Sequence, residues 1–225
     1  AIGYLRTQRL VEDVEQIQSV EVNWDIETVF VTTTHGKGIT DWEEKFSKRT
    51  ITSGCGQGTI FSCTVDNIYN TRLPAVTVHQ SVLYGLLSNI TRHNEIYKQA
   101  GAVHGCALCH DTEILTFVED VGRHNAADAI AGEMWLDNVD GGDKIFYTTG
   151  RLTSEMVMKA AEMGIPVLLS RSGVTQMGLE LAQIVGMTMV ARAKGRHFLV
   201  YNGVERVLYD AKPAPRTTSH KVKTD

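Results

Sequence analysis

The pattern of apolar and polar residues changes about one third of the way along the chain. In the first part, two runs rich in Val, Ile and Thr, Ile17–Asn23 and Ile26–Thr34, predict β-strands. Thr40–Lys48 has the composition of a short helix, with Thr40 as its N-cap and acidic residues in its first turn. A glycine-rich stretch, ITSGCGQGTIFS, follows and suits neither a helix nor a regular strand. Residues 1–73 are therefore predicted to form a small α+β subdomain.

Strands and helices alternate in the rest of the chain. The helical periodicity of His79–Ala100 breaks near Thr91 and ends at Gly101, and the runs on either side of His110-Asp111-Thr112 predict a hairpin. The further predicted helices are Asn125–Leu136, Thr153–Met163 and Gln176–Val185, and the further predicted strands are Lys144–Thr148, Pro166–Ser170, Met187–Arg192 and His197–Tyr201. Such alternation predicts an α/β domain over residues 74–210, with a partly parallel sheet covered by helices.

Composition excludes several classes of protein. Of the 225 residues, 43% are hydrophobic and 21% are charged, which is typical of globular proteins. No uncharged apolar run approaches the roughly 20 residues of a membrane-spanning helix. A net charge of -4 argues against general nucleic-acid binding. Four cysteines are too few for a disulfide scaffold, and no signal peptide is recognised, so we expect a cytoplasmic protein with reduced thiols.

The residues at the two ends of the chain predict two further features. The chain begins without Met, as if within a domain, which predicts that a further segment precedes it. Residues 211–225 contain four Lys or Arg residues against one Asp, together with two prolines. This composition predicts a flexible basic tail.

Three of the predicted strands run into loops that combine glycine, arginine and a hydroxyl or amide side chain. These loops are Gly122-Arg123-His124-Asn125, Gly150-Arg151-Leu152-Thr153-Ser154 and Ser170-Arg171-Ser172-Gly173, and a fourth strand ends near Arg192, Lys194, Gly195 and Arg196. Open α/β sheets bind ligands at the carboxyl ends of their strands, and both arginine and helix N-termini bind phosphate. The recurrence predicts a platform for a large phosphorylated ligand. The alternative is that each arginine pairs with an acid such as Glu119, Asp120 or Glu155.

His124 is the imidazole best placed for chemistry, since it begins a predicted helix. It could move protons or bind phosphate, or it could simply cap the helix. The usual nucleotide-binding loops are missing, because GCGQG lacks the spacing of GxGxxG and no GxxxxGK[ST] occurs. We therefore expect neither an ordinary NTPase nor a nicotinamide-dependent dehydrogenase.

The cysteines divide into one exposed candidate and three structural ones. Cys55 lies between glycines, which favours an accessible thiol, whereas Cys63 in IFSCTV has the neighbours of a core residue. Cys106 and Cys109 form a CxxC beside two histidines, but strand alternation places them on opposite faces. Structural zinc needs four ligands, so we expect two buried thiols there and no metal site.

Several segments resemble one known family. The runs EDVGRHNAADAIAG, TTGRLTSEMVMKAAEMGIPVLLSRSGVTQMGLELA and MTMVARAKGRHFLVYNG, with the opening AIGYLRTQRLVEDVEQI and the loop TSGCG, are similar to the formate dehydrogenase accessory sulfurtransferase (FdhD/NarQ) family. The likeness extends from the first residues to about Tyr201. It implies a cytidine deaminase-like three-layer α/β sandwich with a mixed sheet, a small N-terminal subdomain and a homodimer.

The resemblance also implies a function and a site. Such a protein accepts persulfide sulfur from a cysteine desulfurase and passes it to the molybdenum (or tungsten) pterin guanine dinucleotide cofactor of formate dehydrogenase. Molybdenum-bis(molybdopterin guanine dinucleotide) is then a bound substrate, with no metal held tightly by the protein itself. By position, Cys55 carries the persulfide and the guanine dinucleotide is held by Arg192, Ala193, Lys194, Gly195, Arg196 and His197. Arg123, His124, Arg151 and Arg171 would bind its phosphates.

The loop holds one cysteine, because Cys55 is followed by Gly56-Gln57-Gly58 where many relatives have a CxxC. Sulfur release then needs direct transfer to the metal or an external reductant. A further hypothesis makes Cys106 or Cys109 the resolving thiol, which requires one of their sulfurs to approach that of Cys55.

Two other functions remain open, and a third is disfavoured. A cofactor chaperone would bind the same ligand without carrying sulfur, and a zinc hydrolase would use His104, Cys106 and Cys109. A deaminase needs H-x-E and P-C-x-x-C, but Gly105 and Cys106 follow His104 and no proline precedes the CxxC. Deaminase chemistry is therefore not expected.

Overall fold

The computed structural model describes residues 1–39, 42–43, 49–51, 59–61, 67–93 and 95–212. Its helices are α1 (Ile2–Thr7), α2 (Gln80–His93), α3 (Glu95–Ala100), α4 (Arg123–Leu136), α5 (Ser154–Glu162) and α6 (Gln176–Val185). Its strands are β1 (Ile17–Asn23), β2 (Thr28–Thr33), β3 (Arg49–Ile51), β4 (Thr59–Phe61), β5 (Val78–His79), β6 (His104–His110), β7 (Glu113–Asp120), β8 (Ile145–Thr148), β9 (Val167–Ser170), β10 (Thr188–Lys194), β11 (His197–Asn202) and β12 (Val207–Leu208). The loop around Cys55, Cys63, most of the predicted helix Thr40–Lys48 and most of the basic tail lie outside the described residues.

Six strands form the central sheet, in the order β11-β10-β9-β8-β6-β7. The neighbours β8, β9 and β10 are parallel, whereas β6 is antiparallel to both β8 and β7. Because β6 is antiparallel to both of its neighbours, β7 is parallel to β8. The predicted partly parallel sheet is therefore confirmed, and four strands end at the same edge.

Helices cover both faces of this sheet. On one face, strand residues such as Phe146 and Leu168 pack with residues of α4, α5 and α6. On the other face, Tyr147 and Leu169 pack with the apolar side of α2. All four residues of β8 and all four of β9 are buried, as expected for strands with both faces covered. The mixed α/β sandwich is thus observed, while the likeness to cytidine deaminases stays a prediction.

The element boundaries follow the sequence closely. The helix Gln176–Val185 and the first strand Ile17–Asn23 have their predicted bounds. The long helix predicted to break near Thr91 ends at His93, and the next helix begins at Glu95. The glycine-rich stretch predicted to hold no regular strand instead contributes β4, which pairs with β3. Other ends differ by one or two residues; β10, for example, continues two residues beyond its predicted end, to Lys194. The extra residues are part of a bulged hairpin with β11.

The N-terminal residues make two separate structures. The two predicted strands, β1 and β2, pair as an antiparallel two-stranded hairpin. The short helix α1 packs against α4, and the Arg6 guanidinium donates a 2.9 Å hydrogen bond to the Ala131 carbonyl of that helix. The predicted division of the chain at residue 73, and the homodimer, stay predictions.

Candidate functional site at one edge of the sheet

The four glycine- and arginine-containing segments converge at one edge of the sheet. Strands β7, β8, β9 and β10 all end there, and the amino end of β6 lies between β7 and β8. Along this edge, β6 contributes His104, which pairs with Asp120 at the end of β7. The prediction that these loops share one edge is therefore confirmed.

Backbone hydrogen bonds connect the loops after β8, β9 and β10 with one another and with β6. The Thr149 N–H donates to the Gly105 carbonyl at 2.9 Å, and the Arg171 N–H donates to the Thr148 carbonyl at 3.2 Å. Farther along, the Arg192 N–H donates to the Ser172 carbonyl at 2.8 Å. The loops therefore form a continuous, ordered surface rather than separate turns.

Arg123 is the most buried cation of this edge. It is the first residue of α4 and is only 9% exposed. Its side chain lies against Gly150, where an added Cβ would stand 2.5 Å from the Arg123 Cδ. Glycine at this position therefore makes room for the aliphatic part of the Arg123 side chain.

Arg192 makes the equivalent contact with the next loop. A Cβ on Gly173 would lie 3.2 Å from one terminal nitrogen of the Arg192 guanidinium. Arg192 itself has φ of +53°, in the left-handed region that residues with a Cβ seldom adopt. Because such strain persists mainly where the surrounding structure imposes it, it marks this bulge as a candidate functional feature.

The remaining residues of the predicted dinucleotide segment form the tip of the β10–β11 hairpin. Lys194, Gly195, Arg196 and His197 are exposed there, and the Arg196 guanidinium lies 5.8 Å from the centre of the Tyr84 ring. Ala193 differs from them, since its side chain is fully buried in the core beneath α2. Only its backbone can therefore contact a ligand.

Arg151 and Arg171 are both exposed and follow the ends of β8 and β9. Burial raises the pKa of Tyr147, and the nearby Arg171 guanidinium offsets part of that shift. Arg171 therefore lies close to the phenol of β8, at the α2 side of the edge.

Two histidines lie on the side of the edge nearest β7. His124 Nε2 is 2.9 Å from Glu155 Oε2, and His104 Nδ1 is 3.3 Å from the Thr149 hydroxyl. Burial lowers the pKa of His104, and the positive charges of Arg123 and His124 lower it further. Burial and these neighbours therefore disfavour a positive charge on His104 itself.

The acids predicted as possible partners for the arginines contact backbone N–H groups, an amide side chain and a histidine. Asp120 accepts hydrogen bonds from the Gly122 N–H at 2.7 Å and from the Asn125 amide at 3.1 Å. Glu119 accepts one from the Ile96 N–H, and Glu155 contacts His124. The contacts that Asp120 and Glu155 make hold the loop after β7 and the first turn of α4 in place.

Cys106 and Cys109 lie on opposite faces of β6, as alternation predicts. Cys106 is in the core with α4 to α6, and Cys109 is in the core with α2. Burial raises the pKa of each thiol to about 12, so both are protonated near neutral pH. Neither thiol can join the other in binding one metal ion, and no group of three potential ligands converges anywhere in the described part of the chain.

The sequence analysis placed Thr153 in a candidate loop and Glu155 among the possible arginine partners, but it gave neither residue a role of its own. Thr153 precedes α5 as its N-cap, and Glu155 is the second residue of that helix. Both lie in GRLTSE, where a hydroxyl and an acid at a predicted helix start would have been a signal. The role of Glu155 rests on its contact with His124, which lies 31 positions away in the chain.

The sequence profile of the FdhD/NarQ family matches residues 1–208. The chain therefore belongs to the FdhD/NarQ family. The matched region includes the whole edge described above together with the loop of Cys55, so the expected membership is confirmed.

Individual relatives agree with this membership. The chain is 30% identical over 214 residues to the sulfur carrier protein FdhD of Listeria monocytogenes serotype 4b, with 92% of this chain and 79% of the relative covered. It is 26% identical to the protein of the same name from Bacillus subtilis, with 92% and 78% covered. A solved structure described as a formate dehydrogenase accessory protein from Desulfotalea psychrophila superposes with a TM-score of 0.71 and 27% identity. It is covered to 77%, against 92% of this chain.

None of the helices in the described part of this FdhD/NarQ chain is both long and apolar enough to cross a bilayer.

Proposed function

We propose that this chain is a sulfur carrier that serves formate dehydrogenase maturation. Its relatives are named sulfur carrier proteins, and the similar solved structure is described as a formate dehydrogenase accessory protein. The observation that carries the proposal is the convergence of four cationic loops at one sheet edge, because this arrangement suits a large polyphosphorylated ligand.

Cys55 is proposed to carry the sulfur as a persulfide. Its thiolate attacks the outer sulfur of a persulfide on a cysteine desulfurase, and the desulfurase thiolate leaves, so this exchange needs no external electrons. Cys106 and Cys109 are poor candidates for the same role, since both are buried and have pKa values of about 12.

The acceptor is proposed to be the molybdenum or tungsten pterin guanine dinucleotide, bound as substrate along the edge. The exposed cations Arg151, Arg171, Arg192, Lys194 and Arg196 would contact its phosphates, with Arg123 and His124 at the β7 end. If the acceptor takes sulfur as sulfide, two electrons must come from an external thiol, because the loop holds one cysteine.

Labelling with a cysteine desulfurase and isotopic cysteine tests the carrier role. Peptide mass spectrometry should find the added sulfur on the Cys55 peptide of the wild type and on no peptide of Cys55→Ala. Cys63→Ala is the matched control and should load as the wild type does. Sulfur on Cys106 or Cys109 instead would contradict the assignment.

Formate dehydrogenase activity in cells lacking the endogenous carrier tests the whole function. Cys55→Ala should abolish maturation, and a double change of Arg192 and Arg196 to Ala should impair it while leaving sulfur loading intact. Full maturation by Cys55→Ala, together with failure of the arginine variant, would instead show a cofactor chaperone that carries no sulfur.

A further inference from the structure

Buried polar atoms without partners gather where α5 begins. Arg123 Nε, His124 Nδ1 and Thr153 Oγ1 have no hydrogen-bond partner among the described residues. Arg123 is 9% exposed and Thr153 is 7% exposed, so bulk water has little access to either side chain. Because buried polar groups in folded proteins are nearly always paired, these three atoms have hydrogen-bonding capacity that a ligand could use.

Thr153 differs from the residue that occupies the same position in the next helix. Thr153 and Thr175 are the N-cap residues of α5 and α6, and both have extended backbones. Thr175 Oγ1 accepts a 3.2 Å hydrogen bond from the Gly178 N–H, as an N-cap normally does. Thr153 makes no such bond, so its hydroxyl is not engaged in capping α5.

Arg123 and His124 both lie beside this helix end. The Arg123 side chain crosses Gly150, three residues before Thr153, and His124 contacts Glu155 in the first turn of α5. The carboxylate of Glu155 is also close to this helix end, but it contacts the imidazole of His124. Together the helix end, a hydroxyl, a guanidinium and an imidazole present the donors that phosphate oxygens accept.

We infer that Thr153, Arg123, His124 and the amino end of α5 bind one phosphoryl group of the ligand. This inference rests on the proposed function only in naming the ligand to which the phosphoryl group belongs. The affinity for the phosphoryl group depends on Thr153, because its hydroxyl does not cap the helix. The Arg192–His197 hairpin binds other parts of the same ligand.

Calorimetric titration of the full chain with inorganic pyrophosphate, at fixed ionic strength, tests the site. Thr153→Val should weaken binding at least tenfold, because it removes one hydrogen bond to a charged group. Thr153→Ser retains the hydroxyl and should bind within about threefold of the wild type, a loss smaller than that of one charged hydrogen bond. Wild-type affinity in Thr153→Val, or equal weakening in both variants, would overturn the inference.

Thr175→Val provides the matched control. It should leave pyrophosphate affinity unchanged and lower the melting temperature, since it removes a real cap. Thr153→Val should leave the melting temperature of the unliganded protein unchanged or higher, because no hydrogen bond is lost. A drop equal to that of Thr175→Val would assign Thr153 a structural role and overturn the inference.

The sulfur-loading assay separates this inference from the proposed function. If Cys55 is loaded but pyrophosphate binding does not depend on Thr153, the phosphoryl site is disproved and the carrier role stands. If Cys55 is not loaded but pyrophosphate binding depends on Thr153, the carrier role is disproved and the phosphoryl site stands.

Discussion

The side chain of Arg123 crosses the backbone of Gly150, so the arginine of one loop fills the space left by the glycine of the next. An added Cβ on Gly150 would come within 2.5 Å of the Arg123 Cδ and 3.3 Å of its Cβ. The two residues are 27 positions apart, and the ends of β7 and β8 bring them together. Gly173 and Arg192 repeat the relationship at the other end of the edge.

Gly150→Ala should displace Arg123 from its position. We expect a loss of about 1–3 kcal/mol in the free energy of unfolding, as for overpacking elsewhere, and about tenfold weaker pyrophosphate binding. Urea denaturation and calorimetry measure the two effects.

A double-mutant cycle shows whether Gly150 acts through Arg123. In an Arg123→Ala background, Gly150→Ala should cause little further loss of pyrophosphate affinity, because the displaced guanidinium is already gone. Additive losses in affinity would show instead that Gly150 acts on the ligand independently of Arg123.

The ion pair of Lys159 and Asp128 should be essential for docking α1. Lys159 is 5% exposed, and its ammonium contacts Asp128 and also the Thr7 hydroxyl at 3.0 Å. Lys159→Met leaves Asp128 without its charged partner, so we expect a loss of about 3–5 kcal/mol in urea denaturation. Replacing both residues, as Lys159→Met with Asp128→Leu, should lose less than the single change.

The surface pair of Lys144 and Asp143 is the matched control for this ion pair. Asp143 has a side chain that is 57% exposed, so Asp143→Asn should cost less than about 1 kcal/mol. A loss from Lys159→Met as small as this would show that α1 docks without the buried pair.

The thiols of Cys106 and Cys109 should resist chemical modification in the folded protein. Both are fully buried, so iodoacetamide at pH 8 should leave them unmodified in the native state and alkylate them in urea. Peptide mass spectrometry distinguishes these sites from Cys55 and Cys63. Rapid native alkylation of Cys106 would contradict its burial and reopen its role as a resolving thiol.

The same thiols should make stability depend on alkaline pH. Burial raises the pKa of each from its ordinary value of 9.0 to about 12, so the folded state favours the neutral thiol. The two thiols make their full contribution to the free energy of unfolding below about pH 9, and this contribution is lost as the pH rises towards 12. Replacing both cysteines with Ala should reduce the slope of the unfolding free energy against pH in this window.

Asp210 should anchor the end of the described chain to α2 above acidic pH. Hydrogen bonds from the Ser81 hydroxyl and the Ser81 N–H lower its pKa to about 2. Because this pKa is lowered, the Asp210 carboxylate stabilises the folded state above its ordinary pKa of 3.8, and the stabilisation is lost as the pH falls towards 2. Asp210→Asn should therefore speed hydrogen exchange at the start of α2 at pH 7.

Glu205→Gln is the control for Asp210, since its carboxylate is 70% exposed beside Arg206. It should leave exchange at Ser81 unchanged. Equal exchange in the wild type and Asp210→Asn would show that Asp210 does not hold α2.

Much of the sheet and its chemistry could be predicted from local patterns. The helix Gln176–Val185 has apolar spacing that only a helix satisfies, and the strands VLLS and IFYT are apolar at nearly every position because both faces are covered. Glycine, arginine and hydroxyl residues after successive strands predict a ligand edge by the topology of α/β sheets. The sequence was less reliable at the end of β10, where a bulge stabilised by pairing with β11 extends the strand.

The sequence by itself determined the alternating strands and helices, the opposite faces of Cys106 and Cys109, and the recurrence of cationic loops, because these depend on neighbours in the chain. Only the tertiary structure decided that Arg123 lies on Gly150, that His124 contacts Glu155, and that Thr153 leaves α5 uncapped while Thr175 caps α6. Those relationships depend on strand order and helix docking, which join residues distant in sequence. No local pattern of side chains specifies which of two equivalent hydroxyls is left for a ligand.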